Sequence, residues 1–163
     1  MKNLVNLLQQ AIDFNHKAGN KLHTYGTLEF WRSLENQCSY MVEESQEGLD
    51  SAKMNDAIES IDALADELFV LAWKIEQMQR AGFDIEGALH AVVENNMKKV
   101  YNSFYEACSA KEQLELVKED EFFVETSVYN GLPFYTVRRL SDNKIMKPVD
   151  FEKVNLEPFI PKE

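Results

Sequence analysis

The sequence predicts a mainly α protein: an antiparallel four-helix bundle-like domain followed by a small C-terminal antiparallel β-hairpin or three-stranded sheet. Three observations lead there. Apolar residues recur three and four apart through residues 2–107, which is the period of one helix face. Cap residues and glycines interrupt that pattern at intervals suited to helix ends. After residue 118 the composition shifts to β-branched and aromatic residues around an Asn-Gly turn signal. The expected division is a helical domain over 1–118 and a β appendage with a C-terminal arm over 119–163.

The elements follow in order. Leu4, Leu7, Leu8 and Ile12 set an amphipathic first helix over 2–15, and a polar stretch with Gly19 and Gly26 reads as a loop. A second helix begins at Thr27 or Leu28 and runs to about Lys53, with Leu34, Tyr40, Met41 and Leu49 as its apolar residues. Asn55 is the expected N-cap of a third helix over 56–80, because its side chain can satisfy free amides. That helix places Ile58, Ile61, Leu64, Leu68, Phe69, Leu71, Ala72 and Ile75 on one side, and Gly82 fits its stop. Asp84 opens a fourth helix over 85–107, with Ile85, Leu89, Val92, Val93 and Val100 as its buried stripe. Strands are expected at 122–128, 134–137 and 144–147, joined at Asn130-Gly131 and Asp142-Asn143. The last stretch is Pro-containing and extended.

Composition narrows the function. The chain has 163 residues, 45% hydrophobic and 28% charged, with a formal net charge of −11. Such a surface repels phosphate backbones, which argues against nucleic acid as a partner. An acidic protein that handles a phosphorylated substrate needs a cation between them. Cys38 and Cys108 lie far apart, so two thiols in a reducing compartment are expected rather than a disulfide. The N-terminal apolar residues are broken by Asn and Gln, unlike a signal sequence. No membrane-spanning run is present, and a cytoplasmic location is expected.

The chemistry concentrates in the run Glu43-Glu44-Ser45-Gln46-Glu47. At helical spacing, Glu43, Glu44 and Glu47 project from one side within about one turn. Glu59 and Asp62 sit three apart on the next helix, and Asp66 continues their face. A short turn near Met54-Asn55 makes the two helices antiparallel, so both acid sets aim into one gap. Acids so spaced on a single helix commonly form a solvated face. Two facing sets differ, because like charges at close range raise one another's pKa values. A divalent cation removes that conflict, and all-oxygen ligation suits Mg²⁺ or Mn²⁺ rather than zinc. His16, His23 and His90 show no Glu-x-x-His spacing, against a di-iron bundle.

These residues resemble the all-α NTP pyrophosphohydrolase superfamily, which includes MazG-like enzymes, dimeric dUTPases and phosphoribosyl-ATP pyrophosphohydrolases. Its signature, EExxE followed by ExxD, is similar to Glu43-Glu44-x-x-Glu47 and Glu59-x-x-Asp62, with an eleven-residue spacer. The segment Asp62-Ala63-Leu64-Ala65-Asp66 is similar to that helix in phage and bacterial MazG-like proteins. Asn95-Asn96-Met97-Lys98-Lys99 resembles their N-M-x-K motif, and Ser141–Pro148 their D-G-K-V-L-K-P hairpin.

The resemblance implies hydrolysis of (d)NTP to (d)NMP and pyrophosphate with Mg²⁺, for which Mn²⁺ can substitute. It implies Glu44, Glu47, Glu59 and Asp62 as metal ligands, with Asp66 as an additional metal or water ligand. Glu43 is the expected catalytic group that orients or deprotonates water. Asn96 and Lys99 are expected to bind phosphates, with Lys144 and Lys147 as further candidates. Trp31 is the candidate for base stacking, against an ordinary packing role. Family members assemble so that two chains complete each pocket, so a homodimer or homotetramer is expected. The alternatives are a narrow dUTPase-like enzyme and a non-catalytic helical oligomerisation or adaptor protein.

Overall fold

The computed structural model of the chain describes residues 2–162. Among the described residues five α-helices hold about 60% of the chain, beside a small three-stranded antiparallel sheet. The helices are α1 (Lys2–Lys17), α2 (Leu28–Met54), α3 (Ala57–Arg80), α4 (Ile85–Met97) and α5 (Phe104–Val117). The strands are β1 (Val100–Tyr101), β2 (Phe122–Tyr129) and β3 (Leu132–Arg139), in the order β1-β3-β2. Contacts divide the chain into two compact units, Met1–Ile85 with Phe159–Glu163, and Glu86–Pro158.

In the first unit, local chemistry sets the helix ends. Thr27 Oγ1 accepts from the Phe30 amide at 3.2 Å and starts α2. At the α2/α3 turn the expected cap is displaced by one residue. Asp56 Oδ1 accepts from the Ile58 and Glu59 amides at 3.0 and 3.2 Å, so Asp56 caps α3. Asn55 instead closes α2 in the left-handed conformation (φ 57°), which asparagine tolerates better than most residues. Two residues therefore reverse the chain, and α3 returns antiparallel along α2. Gly82 (φ 96°) ends the α3 region.

Three contacts fix the α2/α3 seam. Ser51 and Ser60 hydroxyls meet at 3.0 Å, and Ser45 Oγ donates to Glu67 Oε1 at 2.7 Å. Between them Gly48 lets the backbones approach, since a Cβ there would lie 3.6 Å from Ala63 Cβ. On its other side α3 meets α1. Phe14 packs edge-on to Phe69, and His16 to Trp73, so the contacts rise together and α1 runs parallel to α3. Phe30, Ala63, Ala72 and Trp73 are buried. Of the apolar side of α3, Ala72 is buried and Leu68 and Ile75 are half-buried, whereas toward the N-terminus Ile58 is 77% exposed, Ile61 68% and Leu64 51%.

In the second unit the expected fourth helix is shorter than 85–107. It stops at Met97; Val100 and Tyr101 are extended and pair with Thr136 and Tyr135 of β3. A β-branched and an aromatic residue favour this over continued helix. Ser103 then precedes α5. Leu89 and Val93, expected to be buried on α4, are exposed. The β2/β3 hairpin turns at Asn130-Gly131, both with positive φ (52° and 78°), the pattern of a type I′ turn.

The third strand is β1, not 144–147. That segment makes only an isolated bridge, Arg138 to Ile145, while Met146 N donates to Val137 O at 2.8 Å. This anchors Met146 in a core with Ala110, Leu114, Phe122 and Val137. No helix among the described residues is long and apolar enough to cross a membrane. Cys38 and Cys108 are free thiols.

Candidate metal centre

The seam contacts place the acids in register. Ser45 opposite Glu67 and Gly48 opposite Ala63 put Glu44 and Glu47 alongside Asp62 and Asp66. Glu44 is half-buried, whereas Glu43, Glu47, Asp62 and Asp66 are exposed. Partial burial pushes the Glu44 carboxyl above its ordinary range. Repulsion from Asp66, Glu47, Glu43 and Asp62 adds to that shift, in falling order. Two of these four charges come from the opposite helix. The acids of α2 and α3 therefore share one electrostatic field.

Glu59 stands apart from that field. It lies in the first turn of α3, toward the Ser51/Ser60 end of the seam, and is not among the groups acting on Glu44. A carboxylate there also favours the positive end of the helix dipole. Asp66, the additional candidate, is by contrast the strongest charge acting on Glu44. The acids border an open seam rather than a closed cage: among the described residues no three His, Cys, Asp or Glu groups converge on one point.

A cavity of about 450 Å³ is lined by residues of α2 and α3, among others Arg32, Asn36, Gln37, Tyr40 and Trp73, and by Asn20; none of the seam acids lines it. Tyr40 precedes Glu44 by four residues on α2, and Trp73 follows Asp66 by seven on α3, so each ring continues an acid-bearing face. Helical spacing from the acids could have singled out both rings. Trp31 does not line this cavity. It is 48% exposed and packs edge-on against Tyr25 and Phe30.

Asn96 and Lys99 belong to the second unit. Asn96 Nδ2 donates to Val92 O at 2.8 Å, and its Oδ1 accepts a hydrogen bond from Lys99 Nζ. Lys144 and Lys147 are both exposed, and Lys147 Nζ lies over the Phe151 ring. No protein-family model matches the chain, and no curated protein or solved structure matches it.

Proposed function

We propose that the chain is a divalent-cation-dependent, cytoplasmic nucleoside-triphosphate pyrophosphohydrolase. One observation carries this reading: carboxylates of α2 and α3 line one pinned seam, where partial burial first and their repulsion second raise the Glu44 carboxyl. The donor set is entirely carboxylate oxygen, which fits Mg²⁺ or Mn²⁺. The open arrangement fits as well, because Mg²⁺ is commonly held by one or two carboxylates, with water and substrate phosphates in its remaining positions.

Glu44, Glu47, Asp62 and Asp66 would hold the cation, with Glu59 set apart in the first turn of α3. When bound, the cation neutralises charge on the phosphate oxygens. Glu43 would orient a water and accept its proton on the side-chain carboxylate as the water oxygen bonds the α-phosphorus. The bond from that phosphorus to the α–β bridging oxygen breaks, and pyrophosphate leaves with the electron pair. Positioning and charge stabilisation are what such a displacement asks of a protein. The cavity lined by α2 and α3 suits a nucleoside, since Asn36 and Gln37 offer amide donors and acceptors beside the Tyr40 and Trp73 rings.

The exposed Ile58, Ile61 and Leu64 favour assembly as a homodimer or homotetramer, in which helices of another chain would complete a four-helix arrangement. The same exposure supports the second reading, a non-catalytic helical assembly protein. Assaying pyrophosphate release from the common NTPs and dNTPs, with Mg²⁺ and Mn²⁺, separates the readings. The enzyme reading expects turnover that Glu47→Gln lowers by about a hundredfold or more. Turnover confined to dUTP would identify the narrow enzyme. Unchanged turnover in Glu47→Gln would refute the site, and no turnover on any substrate would favour the assembly protein.

A further inference from the structure

Beyond the acids, toward the start of α2, the two long helices make a contact of another kind. Lys74 Nζ of α3 donates to Cys38 Sγ of α2 at 3.3 Å. Cys38 lies seven residues before Ser45, and Lys74 seven after its partner Glu67 (45 − 38 and 74 − 67). Seven residues are about two helical turns, so the pair keeps the antiparallel register of the seam.

Two features set this pair apart. Lys74 is half-buried, yet among the described residues it forms no salt bridge, although the chain carries 28 Asp and Glu; the hydrogen-bond partner of its ammonium is the sulfur. Cys38 is exposed, so a small oxidant reaches it without opening the fold. Cys108 is the contrast: it is half-buried on α5, and among the described residues no side chain hydrogen-bonds its sulfur. A thiol is a weak acceptor, and holding a lysine side chain costs rotamer freedom. The contact therefore adds little stability. What it supplies is a nitrogen already beside the sulfur, and an oxidised cysteine condenses with a nearby nitrogen to a sulfenamide.

We propose that Cys38 and Lys74 form a reversible redox pair, in which hydrogen peroxide turns the contact into a covalent Sγ–Nζ bond joining α2 to α3. In the first step Cys38 Sγ bonds one peroxide oxygen and the O–O bond breaks. The other oxygen leaves as water with the thiol proton, so sulfur is oxidised and peroxide reduced. In the second step Lys74 Nζ, having released a proton to water, bonds Sγ as the S–O bond breaks. That oxygen leaves as water with a further proton from the nitrogen. Thiol, amine and one peroxide thus give the sulfenamide and two waters. Two equivalents of a thiol reductant leave as a disulfide and restore both residues. Gln37 and Trp73, next to the pair on each helix, line one cavity, so the bond would tie the walls of that cavity together. The proposal does not rest on the pyrophosphohydrolase reading, since its test uses neither metal nor nucleotide.

The test treats the folded full chain in EDTA with a few equivalents of hydrogen peroxide, then maps unreduced tryptic peptides by mass spectrometry. The expected product joins residues 33–53 to residues 54–80, uncut after Lys74 and lighter by two hydrogens than the two peptides together. Dithiothreitol should release it. Lys74→Arg keeps a charged donor but has no nucleophilic amine, and should lower the yield at least about tenfold. Cys38→Ser should abolish the product, and Cys108→Ser should leave it unchanged. In urea, where α2 and α3 separate, the yield should fall about tenfold or more. Circular dichroism checks that each variant is folded. Peroxide that leaves Lys74 free, with Cys38 as thiol, disulfide or sulfinic acid, would overturn the proposal. So would an undiminished yield in urea or in folded Lys74→Arg.

Discussion

The α2/α3 seam and a groove of the second unit, lined among others by Lys99, Lys147, Phe151 and Lys153, treat charge in opposite ways. The seam gathers carboxylates whose mutual repulsion is felt at Glu44, and the groove gathers ammonium groups with no carboxylate in its lining. Elsewhere some charges are paired, as in Asp50–Lys53, Lys111–Glu115 and Arg139–Asp142. Crowding carboxylates along the seam destabilises the folded state slightly, and a ligand of opposite charge would reverse that effect.

Glu47→Gln should have the largest effect, the loss of turnover described above. Next comes Gly48→Leu. The added side chain would be driven into Ala63 and spread the seam, destabilising the protein by about 1–3 kcal/mol in denaturant unfolding. It should also weaken Mg²⁺ binding. Gly48→Ala fits at van der Waals contact and should instead raise stability by about 0.5–1 kcal/mol, because glycine is a poor helix former.

Glu44→Gln sharpens the contrast further. It removes a carboxylate that its neighbours repel, so in EDTA the melting temperature should rise by about 1–4 °C. Added Mg²⁺ should stabilise the parent and leave the variant unchanged.

The smallest effect concerns an ordinary surface pair. The hydrogen bond from Arg139 holds Asp142 down at about 2, against 3.8 normally. A depressed carboxylate stabilises the fold above its unfolded value, and that contribution is lost as pH falls from about 4 toward 2. Asp142→Asn should therefore melt slightly below the parent at pH 7, with the gap closing near pH 2. The pair is exposed, so the gap should be small.

The first three helices, the α2 start at Thr27 and the Asn-Gly hairpin were legible because each rests on contacts within a few residues, whereas α5 was not expected as a helix of its own. The α2/α3 turn was legible except for its cap. Asn55 and Asp56 are both cap formers, and only the backbone decides which one turns left-handed. Val100-Tyr101 was misread because its pairing partner lies some 35 residues downstream, beyond any local pattern. The exposed apolar side of α3 shows a related difficulty: periodicity marks a face but does not say which surface covers it. At the candidate site, spacing picked out the acids but not their ranking. Asp66 acts on Glu44 and Glu59 does not, because the seam register fixed at Ser45 and Ser51 decides which turns meet. Phe151 and Lys153 escaped notice in an extended tail without periodicity.

Titrating Mn²⁺ into the ¹⁵N-labelled chain and mapping paramagnetic broadening tests the central claim most directly. The account predicts that the amides of Glu44, Glu47, Asp62 and Asp66 broaden first and saturably, and that Mg²⁺ reverses the effect. Broadening that appears first elsewhere, or the same broadening in a Glu44→Gln, Glu47→Gln double variant, would show that α2 and α3 do not hold the ion.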